Sequence, residues 1–171
     1  YVIVEKPLAL KLEDADSIID ACKKNNVRLF VVKQYRYHKP MQKLKEAIDQ
    51  GRFGKIIGGT LNVYWNRNKQ YFEQAPWRGT KEHDGGILLN QGSHFIDLLQ
   101  WLVGEPKTIY GKLDTRLHNI ETPDTAAATI VFKNGSIFNV FATIATFPKN
   151  LEGSITILGE KGTVRVGGNA V

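Results

Sequence analysis

Apolar residues recur along this chain at two periods, one helical and one extended. The opening run Tyr1-Val2-Ile3-Val4 is β-branched and apolar and reads as a buried strand. After Glu5-Lys6-Pro7 the spacing turns helical. Ala15, Ile18, Ile19 and Cys22 fall at i, i+3, i+4 and i+7, with acidic residues in the first turn and Lys23-Lys24 in the last. Cys22 belongs to that stripe, so it reads as a core residue rather than a nucleophile. Residues 27–32 predict a second strand, which closes a strand–helix–strand unit. A second helix starts near Pro40, turns Met41, Leu44 and Ile48 inward and stops at Gly51. Residues 59–67 alternate, with Leu61, Val63 and Trp65 on one side and Thr60, Asn62 and Tyr64 on the other: a strand with one polar face.

Residues 68–86 read as a long connection, and a loop of that length within a domain tends to carry function. A third helix is expected over about residues 89–103, with Phe95, Leu98, Leu99 and Leu102 as its core face and Gly104 and Pro106 as its stop. Strands follow at 107–116, 126–132, 137–146, 155–158 and 163–166. Asn134-Gly135 signals a two-residue hairpin, and a second hairpin crosses Gly159-Glu160-Lys161-Gly162. Strands in meander order predict an α+β fold: an open, mostly antiparallel sheet with helices packed on one face.

Composition narrows the class. The chain has 171 residues, 42% apolar and 23% charged, which excludes disordered, collagen-like and disulfide-rich classes. No apolar stretch reaches the ~20 residues that span a bilayer. The single cysteine permits no internal disulfide, and a reducing cytoplasm is the expected setting. The net charge of +6 favours anionic partners, yet no run of like charges forms a stripe for nucleic acid. Residue 1 falls inside a strand and the chain stops just after another, which suggests a piece of a longer polypeptide. A complete small domain with an exposed first strand is the competing expectation.

Three places could carry chemistry. A lysine at the end of a strand, held ahead of a proline as in Glu5-Lys6-Pro7, could hydrogen-bond a substrate hydroxyl. A solvated turn is the simpler reading of that tripeptide alone. On a continuous helix Asn90, His94, Asp97 and Trp101 would share one face, with an imidazole at its centre. That face could equally be merely solvated. The segment from Tyr64-Trp65-Asn66-Arg67 through Tyr71-Phe72 to Pro76-Trp77-Arg78 mixes guanidinium groups with flat rings, which suits an anionic, ring-containing ligand or a subunit contact. His94 has no histidine or cysteine at ligand spacing, and no recognised phosphate loop occurs.

Glu5-Lys6-Pro7-Leu8, followed about eighty residues later by Gly85-Gly86-x-Leu88-x-Asn90-x-Gly92-x-His94-x-x-Asp97, resembles the Gfo/Idh/MocA oxidoreductases. The resemblance implies a substrate-binding and oligomerisation domain over residues 1–171. Residues 1–33 would then be the remnant of a junction to an absent N-terminal Rossmann domain that holds NAD or NADP. By the same resemblance Lys6 and His94 are catalytic, and Glu5, Pro7 and Trp77 border the cofactor. Asn90, Arg36, Arg67, Tyr71 and Arg78 are assigned to the substrate. Many members carry aspartate where this chain has Asn90. That departure, with Val31-Val32-Lys33-Gln34-x-Arg36-Tyr37 and Ala75-Pro76-Trp77-Arg78-Gly79-Thr80, is similar to the bacterial UDP-sugar 3-dehydrogenases. Those act on UDP-N-acetylglucosaminuronate in lipopolysaccharide O-antigen synthesis. The expected partners are an anionic nucleotide sugar and further copies of the chain, bound through the sheet, with no nucleic acid and no membrane. The isolated piece is expected to be inactive. A dehydrogenase of free sugars or inositols and a non-catalytic sheet scaffold are the alternatives.

Overall fold

The computed structural model describes residues 1–168, so the last three of the 1–171 range lie outside the described residues. Two short strands, β1 (Val2–Val4) and β2 (Leu29–Val31), pair in parallel across α1 (Leu12–Lys24). A 3-10 turn (Gln34–Tyr37) leads into α2 (Lys39–Asp49). The long β3 (Ile56–Tyr64) follows, then three helices, α3 (Lys69–Glu73), α4 (Gly86–Leu89) and α5 (Ser93–Val103). Five strands complete the chain: β4 (Pro106–Asp114), β5 (Thr125–Phe132), β6 (Ile137–Thr143), β7 (Glu152–Gly159) and β8 (Gly162–Gly168).

Strands β3 to β8 form one six-stranded sheet in the order β4-β5-β6-β3-β7-β8. Every pairing is antiparallel except β3 with β6. The expected α+β class with a mostly antiparallel open sheet is therefore what the chain adopts. The meander order is not: β3 inserts between β6 and β7. Leu61 and Val63 are fully buried on the inner face of β3, and a central position in the sheet is what gives them that burial.

The core lies between this sheet and the helices. Phe95, Leu98, Leu99 and Leu102 of α5 are buried together with Leu61, Val63, Trp65, Phe138, Val140, Ile155 and Ile157 from the strands. Full burial of side chains of this size contributes roughly 1.5–3 kcal/mol each. The opposite face of the sheet is open, and Ile137 and Phe141 of β6 point outward there while Phe138 and Val140 point in.

Four local expectations are corrected. Strand β1 is not buried, since Ile3 and Phe30 of its partner stand exposed on a sheet only two strands wide. The stripe Ala15, Ile18, Ile19 and Cys22 on α1 is half-buried, so Cys22 is not a full core residue. The connection at Asn134-Gly135 spans four residues: Gly135 takes a left-handed conformation (φ +86°), and Asn134 uses its side chain to bond Ser136 and the Val103 carbonyl. The third helix is broken at Asn90, which has the larger consequence.

Candidate active site

The Gly85-Gly86 pair makes the turn that leads into the site. Both residues adopt left-handed backbone (φ +74° and +72°), and a Cβ on Gly86 would stand 2.8 Å from the Pro123 carbonyl oxygen. Only glycine accepts that conformation at so close an approach. The chain then makes the single turn of α4 and leaves helical geometry at Asn90 (φ −90°, ψ −84°) before α5 begins. In an unbroken helix the Asn90 carbonyl would accept the amide of residue 94. Here it turns outward and accepts from the Ser93 hydroxyl (2.9 Å) and from Lys6 Nζ (3.0 Å). Asn90 is consequently not on one helical face with His94, Asp97 and Trp101, as continuous periodicity had predicted.

Lys6 stands two residues beyond β1, and Lys33 stands two beyond β2. The parallel register sets Val4 beside Val31, so both lysines emerge at the same end of the pair. Lys6 is half-buried and donates to both the carbonyl and the amide oxygen of Asn90, each at 3.0 Å. Its third N–H has no partner among the described residues. Burial, followed by the Lys33 charge, pulls its pKa below the ordinary lysine value, while Asp84 and Glu5 pull the other way. Lys6, Pro7, Trp77, His83, Asp84 and Asn90 line a cavity of about 500 Å³.

His94 lies in the first turn of α5, 8% exposed, and is not among the residues lining that cavity. Its ring stacks on Tyr35 with centroids 4.7 Å apart, and its Nδ1 is buried with no hydrogen-bond partner among the described residues. Burial first, then the charges of Lys6 and Lys33, lower its pKa to about 4, with Asp97 opposing. The imidazole is therefore neutral at physiological pH and can accept a proton. Tyr35 is itself pushed upward by burial, with Arg67 working against the shift.

The arginine and aromatic residues form a second cluster. The Arg78 guanidinium sits 4.1 Å from the Tyr71 ring centre and 5.6 Å from that of Trp77. Arg67 lies 5.0 Å from Tyr71 and 5.2 Å from Trp65. Both arginines also bond locally, Arg78 to the Tyr71 carbonyl and Gln74, and Arg67 to the Asn66 carbonyl, and the Nε of each is buried without a partner among the described residues. Trp77 links this cluster to Lys6, because its half-exposed ring lines the same cavity. Arg36 sits apart. Its fork is committed to Asp97 by two bonds of 2.7 Å, and it lines a different cavity beside Trp101. Glu5 is exposed at the mouth of the strand pair.

Sequence reasoning missed Asp84, Lys33 and Tyr35. The repeated Val-Val before Lys33, matching the Val-Ile-Val before Glu5-Lys6, was the available signal for two lysines at one strand-pair end. Nothing local marks Asp84. Among the described residues no group of histidine, cysteine and acidic side chains could hold a metal ion, and no helix is long and apolar enough to cross a membrane.

Comparison with known proteins agrees with this fold. Residues 41–165 match the GFO/IDH/MocA C-terminal domain, and residues 1–33 match the oxidoreductase family with an NAD-binding Rossmann fold. The WlbA dehydrogenase of Bordetella pertussis, solved with NADH and UDP-GlcNAcA, superposes with a TM-score of 0.96 at 50% identity, covering 99% of this chain and 52% of that one. The WlbA enzyme of Chromobacterium violaceum, in the same two-ligand complex, gives 0.96 at 46% identity, covering 99% and 49%. The myo-inositol 2-dehydrogenase of Thermotoga maritima is 27% identical over 96% of this chain and 48% of its own length. The chain thus spans about half the length of the relatives it matches. With residues 41–165, nearly three quarters of its length, matched to that C-terminal domain, the chain belongs to the GFO/IDH/MocA oxidoreductase family.

Proposed function

We propose that this chain is the substrate half of an NAD-dependent dehydrogenase that oxidises a secondary hydroxyl of a nucleotide sugar, the 3-hydroxyl of a UDP-N-acetylhexosaminuronate. The observation that carries the reading is the Lys6 ammonium. Two of its three N–H groups are held by Asn90, and the third is available to a ligand in the cavity it shares with Trp77. Placed on the substrate oxygen, that N–H polarises the hydroxyl and stabilises charge as it develops. In this reading neutral His94, outside the lining of that cavity but near enough for the Lys6 charge to act on it, takes the hydroxyl proton from a substrate that reaches past the cavity. General-base assistance of this kind is worth ~10²–10⁴-fold. A negatively charged substrate raises the affinity of His94 for that proton, because it offsets the Lys6 and Lys33 charges that depress it.

The residues present fit one end of a nicotinamide dinucleotide. Lys6, Pro7 and the flat Trp77 ring border a space suited to a planar ring, while the described residues offer no glycine-rich cradle for its phosphates. A bound nicotinamide supplies the acceptor for the electron pair of the carbinol carbon. The rest of its site belongs, in this reading, to a Rossmann domain of which residues 1–33 are one part, and the exposed Ile3 and Phe30 would pack within it. The chain alone would then be inactive. Arg67 and Arg78, stacked on Tyr71, suit the uronate carboxylate or the diphosphate.

Similarity to the two WlbA enzymes, each solved with UDP-GlcNAcA, supports the nucleotide-sugar class; a place in lipopolysaccharide O-antigen synthesis and a reducing cytoplasm, which the single free Cys22 suits, complete the proposed reading. The open sheet face would join copies of the chain. Assay of the full-length polypeptide for NADH formation tests the reading. UDP-N-acetylglucosaminuronate should be oxidised and free inositols should not; turnover of inositols alone would replace it with the free-sugar alternative.

A further inference from the structure

Behind Asn90 stands a carboxylate that the reaction above leaves without a role. Asp84 is 5% exposed. Its Oδ2 accepts the Gly79 amide at 2.6 Å, and its Oδ1 accepts from Asn90 Nδ2, also at 2.6 Å. On its other side, Asn90 accepts from Lys6 through Oδ1. The series Gly79 N–H, Asp84, Asn90, Lys6 runs in one direction only. An ammonium has nothing but donors and a carboxylate nothing but acceptors, so the residue between them needs one of each. Asparagine meets that requirement in a single orientation. Aspartate at position 90 would set two carboxylates 2.6 Å apart, which demands a shared proton.

We propose that Asp84 is a positioning residue of this site, setting the direction of the Asn90 amide and, through it, the place and charge of the Lys6 ammonium. The inference rests on the reading of Lys6 as the group that meets the substrate oxygen. The charged and titratable groups facing Lys6 are Lys33, Asp84, Glu5 and His94. Asp84 is the buried anion among them. Its charge counters the burial and the Lys33 charge that favour loss of the Lys6 proton.

The chemistry of the series predicts a specific rescue. In Asp84→Asn, one carboxamide oxygen must serve both Gly79 N–H and Asn90 Nδ2, so one N–H is left against another. In the double variant Asp84→Asn/Asn90→Asp, the new amide accepts from Gly79 and donates to the new carboxylate, which accepts from Lys6. Every donor again meets an acceptor.

Competitive acetylation across a pH series, read peptide by peptide by mass spectrometry on the intact polypeptide, reports the titration of Lys6. Exposed Lys23 serves as the internal reference. Asp84→Asn should lower the Lys6 midpoint further and label Lys6 several-fold faster than native at the same pH. The double variant should return both to native or beyond. An unchanged midpoint in Asp84→Asn, or a double variant no better than the single, overturns the proposal. If the single variant does not fold by circular dichroism, the double variant decides: a native-like Lys6 titration supports the proposal and a lowered one defeats it. The measurement uses neither cofactor nor sugar. Absence of NADH formation alongside the expected labelling pattern would therefore defeat the proposed reaction while leaving the Asp84 assignment standing.

Discussion

Lys6 and Asn90, 84 residues apart in sequence, are joined twice, through the Asn90 carbonyl and through its side-chain oxygen, each at 3.0 Å. The double contact exists because the backbone breaks between α4 and α5 and turns a carbonyl that a helix would have consumed toward the lysine. One irregular residue thus ties the β1 end to the helix that carries His94. The same proximity lets the Lys6 charge depress the His94 pKa.

His94 as proton acceptor leads to a first expectation. In the full-length polypeptide, His94→Ala should lower turnover by ~10²–10⁴-fold, the usual worth of a general base. NAD binding, measured by calorimetry, should hardly change. Near-native turnover would remove the residue from the mechanism.

The buried neutral imidazole also has a stability consequence. Its pKa is about 4 in the folded state against an ordinary value of 6.5, so between those limits the unfolded chain binds more protons. Stability tied to this group is fully present above pH 6.5 and is lost as pH falls toward 4. The loss is on the order of 2–3 kcal/mol. Urea unfolding midpoints at pH 7 and pH 4.5 should therefore differ more in the native chain than in His94→Gln. An equal pH dependence in both would contradict the assignment.

Coupling between the two groups can be read directly. Removing the Lys6 charge in Lys6→Met should raise the His94 pKa, because one of its two depressing charges is gone while burial and Lys33 remain. Imidazole proton resonances followed by NMR across pH 3–8 would show the shift. A His94 titration unmoved by Lys6→Met would mean that the two side chains do not share a field.

The open sheet face carries Ile137, Phe141 and Tyr110, which are 53%, 41% and 68% exposed. Apolar surface of this kind tends to be covered by a partner. Light scattering at high concentration should show self-association, weakened by Phe141→Asp. A clean monomer in the native chain would argue against the sheet as an interface.

Periodicity alone determined a good deal here. The alternation at Leu61, Val63 and Trp65 put those side chains in the core, and the spacing of Phe95, Leu98, Leu99 and Leu102 did the same on α5. Hydrophobic burial obeys the geometry of a helix or strand, so a local pattern suffices to show which face is inside. The expectation that Lys6 and His94 act together came only from a family resemblance, and the structure adds that the Lys6 charge acts on His94 while His94 stands outside the lining of the Lys6 cavity. The insertion of β3 between β6 and β7, the break at Asn90 and the place of Asp84 behind it were decided by the tertiary structure. Each depends on hydrogen bonds between segments far apart in the chain, or on a backbone turn set by packing against Pro123, and no local run of residues encodes such a partner.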